Sequence, residues 1–311
     1  MPPLAELVCP ACEASLAPQG EALACREGHR WPALRAGFDF LREGERPRYP
    51  EGASDRLLRM QGAHFWFVSR RRLILDWLAR CCRPGGVFVD VGTGSGDVAS
   101  LARRRGFRAA AADVLVESDE SVRRLDPALP FHAVSVYGLP FRGLDAAGLF
   151  DVLEHLDDPI AALASVRRAL RPGGSVLLTV PARRELWTNV DLYSGHRLRY
   201  DRRGLLAVLR AAGLRPTRAS YFMLPLVPAI VASRRLGAEN MPDGLDDAAV
   251  QEHFEAVARV PGWPWNDLAQ GILSLERFWL RLGDLPYGAS LIACARREAS
   301  VSRPRSAAFA S

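Results

Sequence analysis

Lysine is missing from this chain: all 41 of its Lys/Arg positions are arginine, and against 35 acidic residues they leave a formal net charge of +6. A Walker-type phosphate loop, which needs a lysine after its glycines, is therefore excluded. No apolar run approaches the ~18 to 20 residues of a bilayer span. The longest, Tyr221 to Ser233, carries two prolines and reads as a buried wall, or else as an interfacial segment with weak membrane-surface contact. The first twenty residues lack a basic stretch followed by an apolar core, so no secretory leader is expected and a cytoplasmic location is. Six cysteines in a reducing compartment do not make a disulfide framework. Internal repeats are lacking, and so is any sustained basic run interleaved with aromatics of the kind that marks a nucleic-acid surface. What remains is 49% hydrophobic and 24% charged, an ordinary globular composition with room for one large domain and a small one.

The small unit comes first. Residues 1–43 carry three of the cysteines, and a polar Pro/Gly-containing stretch, 44–60, reads as a linker. From Ser69 apolar residues recur with helical period until Arg83-Pro84-Gly85-Gly86 stops them. Strands and helices then alternate. Strands are predicted at 87–91, 107–113, 131–136, 146–151 and 175–180, with helices at 96–105, after Asp158-Pro159, and at 201–212. The helix after Pro159 is predicted to turn Ile160, Leu163, Val166 and Leu170 inward. Alternation of this kind predicts a parallel sheet covered on both faces. Residues 222–285 break the pattern as a helical insertion or substrate lid, in which Trp263, Trp265, Phe278 and Trp279 are expected to wall a pocket. Residues 286–298 supply a last strand, and 299–311 read as a disordered tail. Cys81, Cys82 and Cys294 read as small core residues.

Two constellations carry chemistry. Asp90-Val91-Gly92-Thr93-Gly94-Ser95-Gly96 joins the end of a buried strand to the start of a helix, where glycines let the chain turn and a ligand approach the backbone. Asp113 ends the next strand, where a carboxylate can accept both hydroxyls of a ribose. Cys9-Pro10-Ala11-Cys12 and Cys25-Arg26-Glu27-Gly28-His29 supply three thiolates and an imidazole on two turns, a closed tetrahedral set suited to structural Zn2+. His155 and His196 are candidate general bases by residue type, whereas His132 and His253 have no motif around them.

The glycine loop with its paired acids resembles the class I S-adenosylmethionine-dependent methyltransferases, over roughly residues 60 to 297. That resemblance implies a seven-stranded Rossmann-like α/β sheet of order 3-2-1-4-5-7-6 with strand seven antiparallel, preceded here by the small zinc-ribbon-like unit; the methyltransferase core would span 61–221. It implies S-adenosyl-L-methionine as cofactor, with Asp90, Gly92, Gly94 and Gly96 on its methionine part and Asp113 on its ribose. Ser135 and Val136 would lie near its adenine, and Asp151, in the strand-four signature running from Phe150 to Pro159, would line the cofactor site. His155 would face the methyl group. A narrower resemblance is to bacterial methyltransferases (type 11/23-like) that carry HFWF before the core and GHxxRY after strand five. Here these are His64-Phe65-Trp66-Phe67 with Arg70, and Asp191 to Tyr200; they imply substrate or lid roles for His64, Trp66, Arg70, Asp191, Tyr193, Arg199 and Tyr200. Relatives often have an acid before HFWF, where this chain has Gln61 and Gly62. The ribbon is similar to those at the front of some methyltransferases, including ribosomal RNA guanine-N1 enzymes.

The expected activity is methyl transfer to a small-molecule acceptor, of secondary-metabolite or envelope-precursor type. The alternatives are an RNA base methyltransferase that uses the ribbon to touch RNA, and a non-catalytic S-adenosylmethionine-binding protein. Nucleic acid is thus a less favoured partner, and the sequence is silent on oligomeric state.

Overall fold

The computed structural model describes residues 5–45, 61–187, 191–192, 194–235 and 260–299. The linker (beyond residue 45), the centre of the insertion, the tail after Ala299, Tyr193 and His253 lie outside them.

Five short strands build the N-terminal unit: β1 (Glu6–Leu7), β2 (Leu16–Pro18), β3 (Ala22–Cys25), β4 (Arg30–Leu34) and β5 (Gly37–Phe38). The core sheet then uses β6 (Val87–Val91), β7 (Arg108–Asp113), β8 (Phe131–Ala133), β10 (Leu144–Phe150), β11 (Leu170–Pro181), β12 (Leu214–Phe222) and β13 (Ser290–Arg297), with β9 (Phe141–Arg142) outside it. The seven strands run in the order β12-β13-β11-β10-β6-β7-β8. Neighbours are parallel from β8 to β11, and β13 is antiparallel to both β11 and β12. In core numbering this is 3-2-1-4-5-7-6, the order that the resemblance implies.

The apolar β-branched run Val87 to Val91 is buried at every residue, as a central strand covered on both faces must be. Helix α1 (Phe65–Cys81) begins four residues earlier than its periodicity predicts, because the His64 ring accepts a hydrogen bond from the Trp66 N–H and caps it. Helices α2 (Asp97–Arg104), α3 (Ser118–Leu125), α4 (Pro159–Ala169) and α5 (Arg202–Ala211) cover the sheet. Asp158 caps α4 through the Ala161 N–H at 2.9 Å. Leu163 and Val166 of that helix are buried, but Ile160 is 42% exposed, since it stands in the first turn, outside the stripe that faces the sheet. The third strand ends at Ala133 rather than 136, which leaves Ser135 to cap a 3-10 turn, Val136–Gly138. β11 starts early, with Leu170 pairing Leu144 ahead of an irregularity before Ser175. The insertion contributes α6 (Val227–Arg235) and α7 (Trp265–Leu282). Leu273, Glu276 and Leu280 form the inner side of α7, while Trp265, Phe278 and Trp279 on that helix and Trp263 before it are 58–86% exposed, so among the described residues they do not wall a closed pocket as expected.

The ribbon-like unit extends the core. β1 pairs β9, and the Phe40 N–H donates to the Ala133 carbonyl at 2.8 Å, so the segment after β5 adds onto the edge strand β8. Covering an edge this way removes a row of unpaired backbone groups. Phe38, Phe40 and Phe141 surround the His132 ring at centroid distances of 5.4–6.2 Å. Burial lowers the pKa of His132 to about 4. A histidine that is neutral when folded and has a pKa near 6.5 when unfolded contributes its full stability above pH 6.5, and that contribution is lost as the pH falls toward 4. Between about pH 7 and pH 5 the protein should therefore lose roughly 2 kcal/mol that a His132→Phe variant keeps. Urea unfolding at the two pH values checks this; equal losses in both proteins would show that His132 is not responsible.

Candidate active site

The cofactor half of the site is built by local sequence. β6 delivers Asp90, and the chain then turns through Gly92, Gly94 and Gly96 at φ of +75°, +57° and +82°, a region that side chains disfavour. At Gly92 a Cβ would also stand 2.5 Å from Val152 Cγ2, so this turn closes directly against the end of β10. Both Asp113 oxygens are held by the backbone: Gly94 N–H donates to Oδ2 at 2.7 Å and Leu115 N–H to Oδ1 at 3.0 Å. Burial raises its pKa, and those N–H groups offset part of the rise. Asp90 accepts from Thr93 Oγ1 at 2.9 Å on Oδ2, while Oδ1 is buried without a partner among the described residues. Burial pushes its carboxyl up to about 7, against the Thr93 hydrogen bond and the charge of Arg70. An orphaned buried carboxylate oxygen fits a cationic group such as the ammonium of S-adenosylmethionine, and each Asp113 oxygen keeps a lone pair for a ribose hydroxyl.

Sequence reasoning singled out neither Ser95 nor Gln61 as a site residue. The Ser95 hydroxyl donates to the Gln61 side chain, and Arg71 binds both the Gln61 carbonyl, at 2.9 Å, and Asp97, at 3.0 Å. Gln61, where relatives often have an acid nearby, is thus tied to the glycine loop by neutral hydrogen bonding. Its position before an aromatic helix start was the available signal. Ser135 and Val136 follow β8 on the side where the ribbon docks; a Cβ on Gly138 would lie 3.6 Å from Pro10 Cβ.

The second cluster gathers residues distant in sequence. Arg70, buried on α1, binds Asp151 Oδ2 at 2.6 Å and Thr179 Oγ1 at 3.2 Å, with its guanidinium 5.2 Å from the Trp66 ring centre. Asp151 therefore sits in an ion pair beside the glycine loop, at a φ of +58°. His64 caps α1 and stacks on Phe65. Asp191, 1% exposed, accepts from Arg199 Nε at 2.8 Å and lies 2.9 Å from His196 Nδ1. His155 Nδ1 faces the Gly195 carbonyl at 3.3 Å, and the two imidazoles meet edge to face at 4.9 Å. Burial and the neighbouring His196 lower the His155 pKa. Tyr200 is buried, its pKa raised to about 12 by burial and by the charge of Glu154. Glu154 itself is fully buried, and burial together with Asp151 holds its carboxyl well above the usual range.

The ribbon holds the third cluster. Donor atoms of Cys9, Cys12, Cys25 and His29 all lie within 4.8 Å of one another, with Cys12 Sγ 3.6 Å and His29 Nδ1 3.3 Å from Cys25 Sγ. Three sulfurs and one nitrogen at these separations suit tetrahedral Zn2+ with bonds of about 2.0–2.3 Å.

Comparison with known proteins agrees with this architecture. Residues 65–219 match the family described as a methyltransferase domain. The chain is 30% identical over 212 residues to a 23S rRNA (guanine(748)-N(1))-methyltransferase of Streptomyces fradiae, covering 65% of this chain and 72% of that one. It is 33% identical over 176 residues to an uncharacterised 37.1 kDa protein in a transposon of the same organism, covering 53% of this chain and 48% of the relative. It thus spans only about half the length of that relative. A chain from the complex of the Haloferax volcanii Trm112 methyltransferase activator with a methyltransferase shares the fold, at a TM-score of 0.50 and 18% identity over 79% of this chain and 96% of the other. No helix among the described residues is long and apolar enough to cross a membrane. With its sheet order, glycine loop and paired acids, the chain belongs to the S-adenosylmethionine-dependent methyltransferases.

Proposed function

We propose that the protein transfers a methyl group from S-adenosylmethionine to a small-molecule acceptor seated at the carboxyl ends of β10 and β11. S-adenosylmethionine supplies, when bound, a methyl group on a positively charged sulfur. Asp90, the glycine loop and Asp113 hold it, with Ser135 and Val136 on its adenine side. This reading takes His155 and His196 as catalytic contacts to the acceptor, supported by Val152, which packs on the glycine loop three residues before His155. Displacement at a methyl carbon needs the attacking atom within about 3–3.5 Å and in line, so orientation by these rings and by the Arg70–Asp151 pair matters most.

The pairing of the arginines at the cleft carries the choice of a small acceptor. Arg70 is bound to Asp151, Arg199 to Asp191 and Arg197 to Asp157 at 2.6–2.8 Å. The guanidinium groups of Arg70 and Arg199, little exposed and already held by carboxylates, are disfavoured as phosphate anchors, whereas the exposed Arg197–Asp157 pair is weak. The similarity to the Streptomyces fradiae rRNA enzyme favours a second reading, methylation of an RNA base. Labelled S-adenosylmethionine added to a cell extract separates the two: label is expected in the small-molecule fraction. RNA affinity at low salt should also be weak. Label in RNA, with affinity that falls steeply as salt rises, would replace the first reading by the second.

A further inference from the structure

Within the second cluster three carboxylates meet two guanidinium groups. Arg70 pairs Asp151 and Arg199 pairs Asp191; their charges reach Glu154, but among the described residues neither stands within ion-pair distance of it. Its side chain is fully buried, and among the described residues neither carboxylate oxygen has a hydrogen-bond partner. A buried, unpaired carboxylate is expensive and calls for a compensating group. One oxygen of Glu154 and one ring nitrogen each of His155 and His196 lie within 4.8 Å of one another. Both imidazoles are oriented from behind: His196 Nδ1 by the Asp191 carboxylate at 2.9 Å and His155 Nδ1 by the Gly195 carbonyl at 3.3 Å. Outer hydrogen bonds of this kind, to a carboxylate and to a backbone carbonyl, orient histidines that bind metals and leave Nε2 as the free donor.

We propose that Glu154, His155 and His196 form a two-histidine, one-carboxylate site for a divalent first-row cation, with open positions facing the methyl acceptor. Three protein ligands are the usual complement of a catalytic site, in contrast to the closed four-ligand set of the ribbon. The ligand atoms are near enough for an ion with bonds of about 2.1 Å to draw them together, and part of the His155 side chain reaches solvent. The ion would polarise an acceptor oxygen bound in its open position. This role rests on the methyltransferase reading; the binding of the ion does not.

The test is Mn2+ titration of the full chain, its ribbon loaded with zinc, followed by the electron paramagnetic resonance signal of free Mn2+. One Mn2+ per chain is expected, with affinity lowered about tenfold or more in both Glu154→Gln and the exposed-site variant His155→Gln. Thermal unfolding of each variant confirms that it is folded, and His155→Gln leaves the buried core untouched. The site is overturned if the wild type binds no Mn2+, or if both variants bind it unchanged; a neutral, protonated Glu154 would give the first of these results. Calorimetry with S-adenosylmethionine runs in parallel. Cofactor binding without Mn2+ defeats the cation site alone, whereas Mn2+ binding without cofactor binding defeats the methyltransferase reading alone.

Discussion

Replacing Asp113 by Ala is expected to weaken binding of S-adenosylmethionine and of its demethylated product by about 100-fold or more. Two losses add. Hydrogen bonds to a charged acceptor are worth about 1.5–3 kcal/mol each, and a carboxylate at the end of β7 can receive two from a ribose. The same carboxylate now receives the N–H groups of Gly94 and Leu115, so its removal also orphans two loop donors and frees the turn that carries Gly92, Gly94 and Gly96. Asp113→Asn, which keeps one acceptor oxygen, should lose less. Isothermal titration with the demethylated product measures both. An Ala variant that binds like the wild type would sink the ribose assignment, whatever happens to its turnover.

Gly37→Ala should detach the ribbon from the core. Gly37 does not have a positive φ; it packs so closely on the edge strand that a Cβ would overlap the Phe131 carbonyl oxygen. That obstacle is backbone and cannot rotate away, so the strand must retreat. The bonds from Phe40 N–H to the Ala133 carbonyl and from Phe131 N–H to the Ala36 carbonyl go with it. Overpacking of this kind costs about 1–3 kcal/mol, and the aromatic cage around His132 opens as well. A fall in Tm of about 5 °C or more is expected, with proteolysis releasing the N-terminal unit as a separate fragment. The metal content measured before and after the change should be equal, because Cys9, Cys12, Cys25 and His29 lie outside the Gly37–Phe131 contact. An Ala variant with wild-type Tm and protease resistance would refute this account of the docking.

The two halves of the candidate site differ in how far they could be read without coordinates. The cofactor half lies along contiguous chain: a buried strand, a glycine turn, a helix, and an acid at the end of the next strand. Each part has a local physical reason, and together they are a pattern in one dimension. The cysteine and histidine set of the ribbon is similar, since two short turns set its spacing. Where local reading failed, a distant partner had decided the matter. Ile160 fits a helical stripe but stands where α4 has not yet met the sheet, and the aromatics of α7 were assigned to a pocket although the apolar face opposite them packs inward. Helix α3 went unread between two strands, because eight residues rich in charge give a weak apolar period.

Sequence alone thus determined the strand-helix alternation of the core, the glycine turn after the first core strand, the cysteine and histidine spacing of the ribbon and the arginine-only source of the positive charge. These depend on residues near one another in the chain. Tertiary structure decided what the charges do. Arg70 meets Asp151 only when α1 and the end of β10 converge, and Arg199 closes on Asp191 within the segment after β11. The same convergence buries Glu154, with no ion-pair partner among the described residues, beside two oriented histidines. Electrostatic balance in a buried cluster is a sum over groups brought together by folding, and no spacing along the chain records that sum.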